Sequence, residues 1–300
     1  MDPIISVLYN PSSSGISDNN VSDLLIAIKK HGFQAKAISL HEPPRKILQK
    51  NETLLVVGGD GTLNTVINTL LREEGEPLPH LAVLPAGTAN DFSVHLGDEK
   101  SYTLEQLLDS IAAKKSFKTD VGCVNGHYFV NVAGAGLLTD VAHSTSGNLK
   151  KKLGMLAYYL QAARNLPVYK PFSLELISGS YQQKMEVYLF LVLNSKTAGG
   201  LRHLAPKASL SDGKLDILVV KKSGSIPALA TLFLKLLEGT HLDDPRTLYF
   251  QADKLEARGP HNLETVIDGE QGPPFPLSFS ILPGKLHFYY VNPPMHGQEA

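Results

Sequence analysis

The chain has 300 residues, of which 43% are hydrophobic and 19% charged, and its formal net charge at pH 7 is -1. This length suits two domains with separate cores, and the near-neutral charge argues against nucleic acid as the main partner. A single cysteine, Cys123, excludes an intramolecular disulfide and a cysteine metal cage. No stretch approaches the roughly 18 apolar residues of a membrane span, and no export signal opens the chain, which predicts a cytoplasmic protein.

The first third of the chain alternates predicted strands and helices, an order that builds a parallel sheet. Residues 4–9 form the first predicted strand, and an apolar stripe from Val21 to Ile28 predicts a helix that ends at Gly32. Residues 34–40 are the next predicted strand. The apolar run 54–57 is the third, and it suits a strand buried on both faces.

Three loops in this region combine glycine with small polar residues at a predicted strand end. The first is Asn10–Gly15, the second is Gly58-Gly59-Asp60-Gly61-Thr62 and the third is Pro85–Phe92. Glycine lets backbone N–H groups approach an anion, and a following helix adds unpaired donors and a positive dipole end. Taken alone, each loop also has the pattern of an ordinary turn. Together they predict one phosphate site at the carboxyl edge of a parallel sheet.

From Phe117 onward the sequence is rich in β-branched and aromatic runs, which predicts an antiparallel β-sandwich. Asn125-Gly126 separates two such runs and predicts a tight hairpin. Helical patterns interrupt the strands at residues 149–166 and 226–237. Residues 247–258 are predicted as one strand, and residues 277–281 and 285–291 as two.

Several common motifs are absent or incomplete. The chain has neither the P-loop pattern nor the protein-kinase H-R-D motif. Gly134-Ala135-Gly136 follows a predicted strand, but Thr139 stands where a dinucleotide fingerprint has its third glycine. The eleven histidines show no metal-ligand spacing, which argues against a zinc enzyme.

The ordered motifs resemble those of the bacterial diacylglycerol kinase-like lipid kinases, which are related to sphingosine kinases, NAD kinases and phosphofructokinases. Besides the three loops, the resemblance rests on Asp120-Val121-Gly122, Gly199-Gly200, Ser211–Asp216 and Asp268-Gly269-Glu270. It implies a Rossmann-like α/β nucleotide-binding domain and an antiparallel β-sandwich domain. The implied boundaries are residues 1–116 with 286–300 for the first domain, and residues 117–285 for the second.

The resemblance also implies ATP as the phosphoryl donor, and it assigns the nucleotide contacts to the three loops. These contacts are Asn10, Ser14, Gly58, Gly59, Asp60, Gly61, Thr62, Asn64, Gly87, Thr88 and Asn90. The chain departs from the family pattern at Thr65, where an acidic residue is common, and in residues 16–18, which lack the usual basic residue. Nucleotide affinity and selectivity are therefore left open.

Phosphoryl transfer needs a divalent cation and a group that accepts the proton of the attacking hydroxyl. Asp60 is the candidate for holding the catalytic Mg²⁺ through water, with Asp91 and Asp120 as possible support or ordinary caps. By resemblance, the base is Asp268 or Glu270, although Ile267-Asp268-Gly269-Glu270 also has the pattern of a plain hairpin turn. The residues do not decide between the two acids.

A second Mg²⁺ site is implied by resemblance at Ser211, Asp212, Lys214 and Asp216, where backbone carbonyls share the ion with water and nearby carboxylates. A simple Asp-Gly turn is the alternative interpretation. Lys150-Lys151-Lys152 precedes an apolar and aromatic stretch, Met155–Tyr159, and such a cluster can dock on anionic lipid. A solvated helix start is the other interpretation of that cluster.

The sequence thus predicts an ATP-dependent lipid kinase acting on diacylglycerol or a similar lipid at the inner face of the membrane. One alternative is an NAD-kinase-like enzyme with a soluble acceptor, and another is a nucleotide or lipid sensor without catalysis. The presence of Asp60, Asp268 and Glu270 together favours an enzyme.

Overall fold

A computed structural model of the chain describes residues 4–11, 18–40, 53–72, 78–87, 89–97, 102–136, 170–222 and 226–292. The chain divides into two compact units, Met1–Thr119 with Gly284–Ala300 and Asp120–Pro283, called here the first and second unit. Ser14, Thr88, Lys150-Lys151-Lys152 and the predicted helix at 149–166 lie outside the described residues. None of the described helices is both long and apolar enough to cross a bilayer.

The first unit contains the alternating strands and helices that the sequence predicts. They are β1 (Ile4–Tyr9), α1 (Asp18–Lys30), β2 (Gln34–Ser39), β3 (Thr53–Gly58), α2 (Asp60–Arg72), β4 (His80–Pro85) and α3 (Leu104–Ala112). The strands are parallel in the order β4-β3-β1-β2. Gly32 follows α1 with a φ of +91°, which confirms the predicted helix stop.

Burial explains why these segments pair as they do. All six residues of β3 are buried, as expected for a central strand of a parallel sheet. On α2, Leu63, Val66, Ile67 and Leu70 are buried, so one apolar side of this helix faces the core. Because β1, β3 and β4 are neighbours and run the same way, the loops that follow them leave from the same sheet edge.

The second unit is built mainly from strands, and its described part has one α-helix. After β5 (Ser116–Val124), which begins in the first unit, these are β6 (His127–Phe129), β7 (Val132–Gly136), β8 (Phe172–Ser178), β9 (Tyr181–Leu193), β10 (Leu215–Lys221), α4 (Ile226–Glu238), β11 (Thr247–Ala252), β12 (Lys254–Arg258), β13 (Thr265–Ile267), β14 (Glu270–Gln271) and β15 (Leu277–Tyr289). The long strand β9 pairs antiparallel with β7, β8 and β10. The core of this unit includes Phe129, Phe190 and Phe279.

Two predicted strand boundaries in this region are wrong. The run 247–258 is divided at Asp253, because β11 pairs with β10 whereas β12 pairs with β8 and β15. The runs 277–281 and 285–291 form one continuous strand, β15, which ends at Tyr289. Its last residues pair in parallel with β4 through Phe288 and Leu81, in the first unit. Partner choice by distant segments, which local patterns do not encode, sets both boundaries.

Candidate active site

The glycine loops after β3 and β4 touch through their backbones. A Cβ atom added to Gly87 would lie 2.5 Å from the Cα atom of Gly59, and one added to Gly59 would lie 3.0 Å from the Cα atom of Gly87. The N–H of Ala86 donates to the carbonyl of Gly58 at 3.0 Å. The close approach therefore leaves no room for a side chain at Gly87 and only a tight fit at Gly59, and it brings backbone groups of two loops to one place.

Asp60 and Asn90 fix this contact. The two carboxylate oxygens of Asp60 accept the N–H groups of Asp91 and Phe92, each at 3.0 Å. Asn90, with a φ of +51°, accepts the N–H of Gly87 and donates to its carbonyl, both at 2.9 Å. Asp60 is also the first residue of α2, where its negative charge interacts favourably with the positive end of the helix dipole. It ties one loop to the other.

The remaining residues predicted in this region occupy the start of α2 and the end of β1. Thr62 is buried against Gly58, where an added Cβ would lie 2.6 Å from the threonine Cβ. Asn64 lies within α2, and its side-chain oxygen accepts from Asn68 at 3.1 Å. Asn10 directly follows β1. The structure therefore brings the described part of the predicted nucleotide set to one edge of the first unit.

The second unit contains the acid turn, Ile267–Glu270. Ile267 and Glu270 face each other across β13 and β14, and Asp268 and Gly269 between them have φ angles of +46° and +89°. The sequence pattern of a hairpin is thus confirmed. Asp268 is buried, with 8% of its surface exposed, and its N–H donates to the carbonyl of Val132 at 2.8 Å.

The two acids of this turn have different surroundings. One Asp268 oxygen accepts the N–H of Val130 at 2.9 Å, and the other accepts those of Asn131 at 3.0 Å and Val132 at 2.8 Å. Glu270 is exposed, and within the described residues its carboxylate forms neither a hydrogen bond nor an ion pair. Asp268 therefore anchors the turn to the backbone, while the Glu270 carboxylate is exposed.

The loop at 211–216, called here the cation loop, ends at a buried acid. Asp216 is fully buried; one of its carboxylate oxygens accepts the hydroxyl of Tyr249 and the amide of Gln251, and the other has no partner in the described part of the chain. Burial, the largest cause, raises the pKa of Asp216 to about 6. A buried carboxylate with an unsatisfied oxygen fits a nearby cation, which would stabilise its charged form.

Other groups of the cation loop hold its turn. Gly213, with a φ of +68°, donates its N–H to the buried carboxylate of Asp120 at 2.7 Å, and exposed Asp212 accepts the N–H of Lys214 at 3.0 Å. Among the residues that the structure describes, no three His, Cys, Asp or Glu side chains form a metal cluster. Ions held here would need backbone carbonyls as ligands, such as those of Ser211 and Lys214.

Sequence reasoning missed three buried polar residues next to the acid turn, Asn131, Asn194 and Ser195. Asn194 and Ser195 directly follow the apolar run that ends β9, and this abrupt polar pair was the available signal. At Gly134 in β7 an added Cβ would lie 2.2 Å from the carbonyl oxygen of Phe190. Close strand packing explains that glycine.

Both units match known families. Residues 5–124 match the model of the diacylglycerol kinase catalytic domain, and residues 131–290 match the YegS C-terminal NAD kinase beta sandwich-like domain. A diacylglycerol kinase of Bacillus subtilis is 30% identical over 289 residues, covering 94% of both chains. One of Staphylococcus aureus is 30% identical over 296 residues, covering 95% of this chain and 92% of the relative.

Solved structures agree with these matches. The crystal structure of a putative diacylglycerol kinase from Bacillus anthracis superposes with a TM-score of 0.77 at 25% identity, covering 96% of this chain and 95% of the other. An NAD kinase from Archaeoglobus fulgidus, solved in complex with ATP, superposes with a TM-score of 0.54 at 10% identity, covering 96% and 94%. The second likeness concerns the fold alone, and it supports the predicted α/β and β-sandwich classes.

Proposed function

We propose that this chain, which belongs to the diacylglycerol kinase family, transfers the γ-phosphoryl group of ATP to a hydroxyl of diacylglycerol or a similar lipid. Membership makes the chain a kinase, supports lipid kinase activity in general, and implies the use of ATP and typically of a divalent metal. The observation that carries the nucleotide part of this proposal is the contact between the Gly59 and Gly87 loops, fixed by Asp60. The lipid acceptor is proposed from the family alone.

At the nucleotide end, backbone N–H groups are the main ligands. The loops of Gly58–Thr62 and Gly87–Asn90 lack bulky side chains where they meet, so phosphate oxygens can reach main-chain donors. The start of α2 adds its own unpaired N–H groups and dipole. Asn10 and Ser14, from the loop after β1, complete this set, and Asn64 and Thr88 support it.

We propose Mg²⁺ as the ion, near Asp60 for catalysis and in the cation loop for structure. The Asp60 oxygens already accept two N–H groups, so the carboxylate would hold its ion through water. In the cation loop, Ser211, Asp212, Lys214 and Asp216 would supply backbone and carboxylate oxygens. Bound Mg²⁺ neutralises charge on phosphate oxygens, which is its usual contribution to phosphoryl transfer.

We propose Glu270 as the group that accepts the proton of the lipid hydroxyl. Three backbone N–H groups engage both oxygens of Asp268, whereas the Glu270 carboxylate is exposed and has no partner among the described residues. A general base must come within hydrogen-bond reach of the hydroxyl, and the exposed acid can do so without breaking an internal contact. Asp268 then acts as the anchor of the turn.

The lipid acceptor resides in a membrane, and we propose that the chain reaches it from the surface. Lys150-Lys151-Lys152 is the basic cluster that supports this proposal in the sequence. Each such charge adds about 1 kcal/mol to binding at an anionic surface. Cosedimentation with phosphatidylglycerol vesicles would detect the contact, and a triple glutamine variant that sediments like the wild type would contradict it.

The direct test is transfer of label from γ-labelled ATP in the presence of Mg²⁺. The acceptor panel contains diacylglycerol, a sphingoid base, a polyprenol and NAD, and diacylglycerol is expected to carry the label. Label on NAD alone would instead favour the NAD-kinase-like reading. ATP binding without transfer to any acceptor would favour a sensor.

Variants of two aspartates show whether the activity belongs to the chain. Asp60→Asn removes the charge and places an NH₂ group against one of the two backbone donors, so it is expected to abolish transfer and to weaken the contact between the loops. Asp23→Asn, on the exposed side of α1, is the matched control and should keep full activity. Near-normal turnover by Asp60→Asn would remove this residue from the mechanism.

A further inference from the structure

Three buried polar side chains of the second unit take no part in the proposed chemistry. Asn131 is 3% exposed, Asn194 is fully buried and Ser195 is 1% exposed. Burial of polar groups is unfavourable unless hydrogen bonds compensate for the lost water, so such a cluster needs a structural reason. We call these three residues the polar bridge, because their contacts run from the cation loop to the acid turn.

At one end, the polar bridge contacts Asp120, which holds the cation loop through a hydrogen bond. The Asn194 amide donates to the carbonyl of Asp120 at 3.0 Å. Asp120 holds both ends of the turn at residues 210–213. Its N–H donates to the carbonyl of Leu210 at 2.6 Å, and its carboxylate accepts the N–H of Gly213 at 2.7 Å. Asn194 therefore touches the residue that fixes the turn of the cation loop.

At the other end, the polar bridge holds the backbone that binds Asp268. The same Asn194 amide donates to the carbonyl of Val130 at 3.2 Å, and the Asn194 N–H donates to the carbonyl of Asn131 at 2.9 Å. The Ser195 hydroxyl lies 3.0 Å from the side-chain oxygen of Asn131 and 2.7 Å from the carbonyl of Thr197. The N–H groups of residues 130–132 point to Asp268.

The amide of Asn194 is suited to this position by its two donors. It donates to two carbonyls at once, which the side chains of leucine and ionised aspartate cannot do. Its oxygen has no partner in the described part of the chain, so the residue carries a buried unsatisfied acceptor. An isosteric leucine would avoid that penalty, and therefore the donors are what asparagine contributes here.

We infer that Asn194, supported by Asn131 and Ser195, is a positioning residue that couples the cation loop to the acid turn. The path runs from Gly213 through Asp120, Asn194 and Val130 to Asp268, and every step is a hydrogen bond or runs through the covalent bonds of one residue. Its effect on catalysis rests on the proposed function of Glu270. The coupling itself rests only on these contacts.

Hydrogen exchange at the backbone N–H groups of residues 130–132 tests the coupling without any enzyme activity. Asn194→Leu is expected to speed this exchange and that of Gly213 by about tenfold, the equivalent of one lost hydrogen bond. Leu255→Ala, a core truncation in β12, is the control for general destabilisation. In this variant the exchange rates of residues 130–132 and Gly213 should rise no more than those of the other N–H groups in the second unit. Unchanged exchange in Asn194→Leu, or equal acceleration in the control, overturns the inference.

Kinetics separate positioning from failure of the proposed activity. Asn194→Leu should lower kcat about tenfold with the KM for ATP unchanged. Ser195→Ala, a milder change that tests the inference even where Asn194→Leu does not fold, should speed exchange at Asn131 and lower kcat by a few-fold. If the wild type phosphorylates no lipid, the proposed function fails while the exchange result still decides the coupling. A full kcat in both variants, with the wild type active, contradicts the positioning role.

Discussion

Two hairpin turns of the second unit share a backbone conformation and differ in side-chain chemistry. Asn125-Gly126 has φ angles of +46° and +80°, and Asp268-Gly269 has +46° and +89°. The Asn125 amide accepts the N–H of Ser278 at 2.8 Å and donates to the carbonyl of Pro276 at 2.9 Å. The Asp268 carboxylate accepts the N–H groups of Val130, Asn131 and Val132. The Asx-Gly pair thus determines the backbone conformation of the turn. The hydrogen bonds of the Asx side chain and the residue after the glycine determine which polar groups the turn presents.

The largest expected difference between the turns lies at the residue that follows glycine. Glu270→Gln should lower kcat by about 10² to 10⁴-fold, the usual contribution of a general base, with an unchanged free energy of unfolding. His127→Gln alters the equivalent exposed position of the other turn and should leave kcat unchanged. Steady-state kinetics with saturating lipid measure both. Wild-type turnover by Glu270→Gln would move the base elsewhere.

The next difference concerns the left-handed residues themselves. Asp268→Asn should destabilise the fold by about 3 kcal/mol, because hydrogen bonds to a charged group are lost and an NH₂ group faces backbone donors. Asn125→Asp loses the bond donated to Pro276 and turns a carboxylate oxygen towards that carbonyl, but the site is exposed to water, so the cost should be about 1 kcal/mol. Urea unfolding followed by fluorescence or circular dichroism measures both values. Equal losses in the two variants would show that Asp268 is not the stronger anchor.

The smallest expected contrast involves the glycines. Gly126→Ala and Gly269→Ala should each cost about 1–2 kcal/mol, since both residues have positive φ and an added Cβ meets no atom within 4 Å. The stability losses should therefore be equal, measured in the same urea titrations. Only Gly269→Ala should also reduce kcat, because it shifts Glu270. A clear difference in stability between the two would mean that their surroundings, and not φ alone, determine the loss.

Much of the fold follows from local patterns. Strand and helix periodicity, the Gly32 stop and the Asn125-Gly126 hairpin are confirmed because each depends on neighbouring residues. The predicted α/β and β-sandwich classes are confirmed as well. The division at Asp253 and the continuous strand β15 were not predictable, since pairing with distant strands decides them.

The candidate site was less accessible to sequence reasoning. The glycine loops and the acid turn could be located, but the choice between Asp268 and Glu270 could not, because the groups that bind Asp268 lie up to 138 residues away in the chain. The contacts of Asp60 are 31 and 32 residues distant. Asn194 carries no motif and is identified only by its burial and its partners. The roles assigned to these residues stay predictions for the experiments above.

Because Gly59 and Gly87 are in contact, the residues that one loop tolerates depend on the position of the other loop. A methyl group on Gly87 would overlap the backbone of Gly59, and one on Gly59 would need the backbone of Gly87 to move by a few tenths of an ångström. A substitution at the partner glycine cannot make this room, because the partner already lacks a side chain. A mutation at one of these glycines therefore cannot be compensated by a mutation at the other. Attempts to change nucleotide preference by grafting a loop from a relative would have to transfer both loops together, along with the pairing of β3 and β4 that sets their separation.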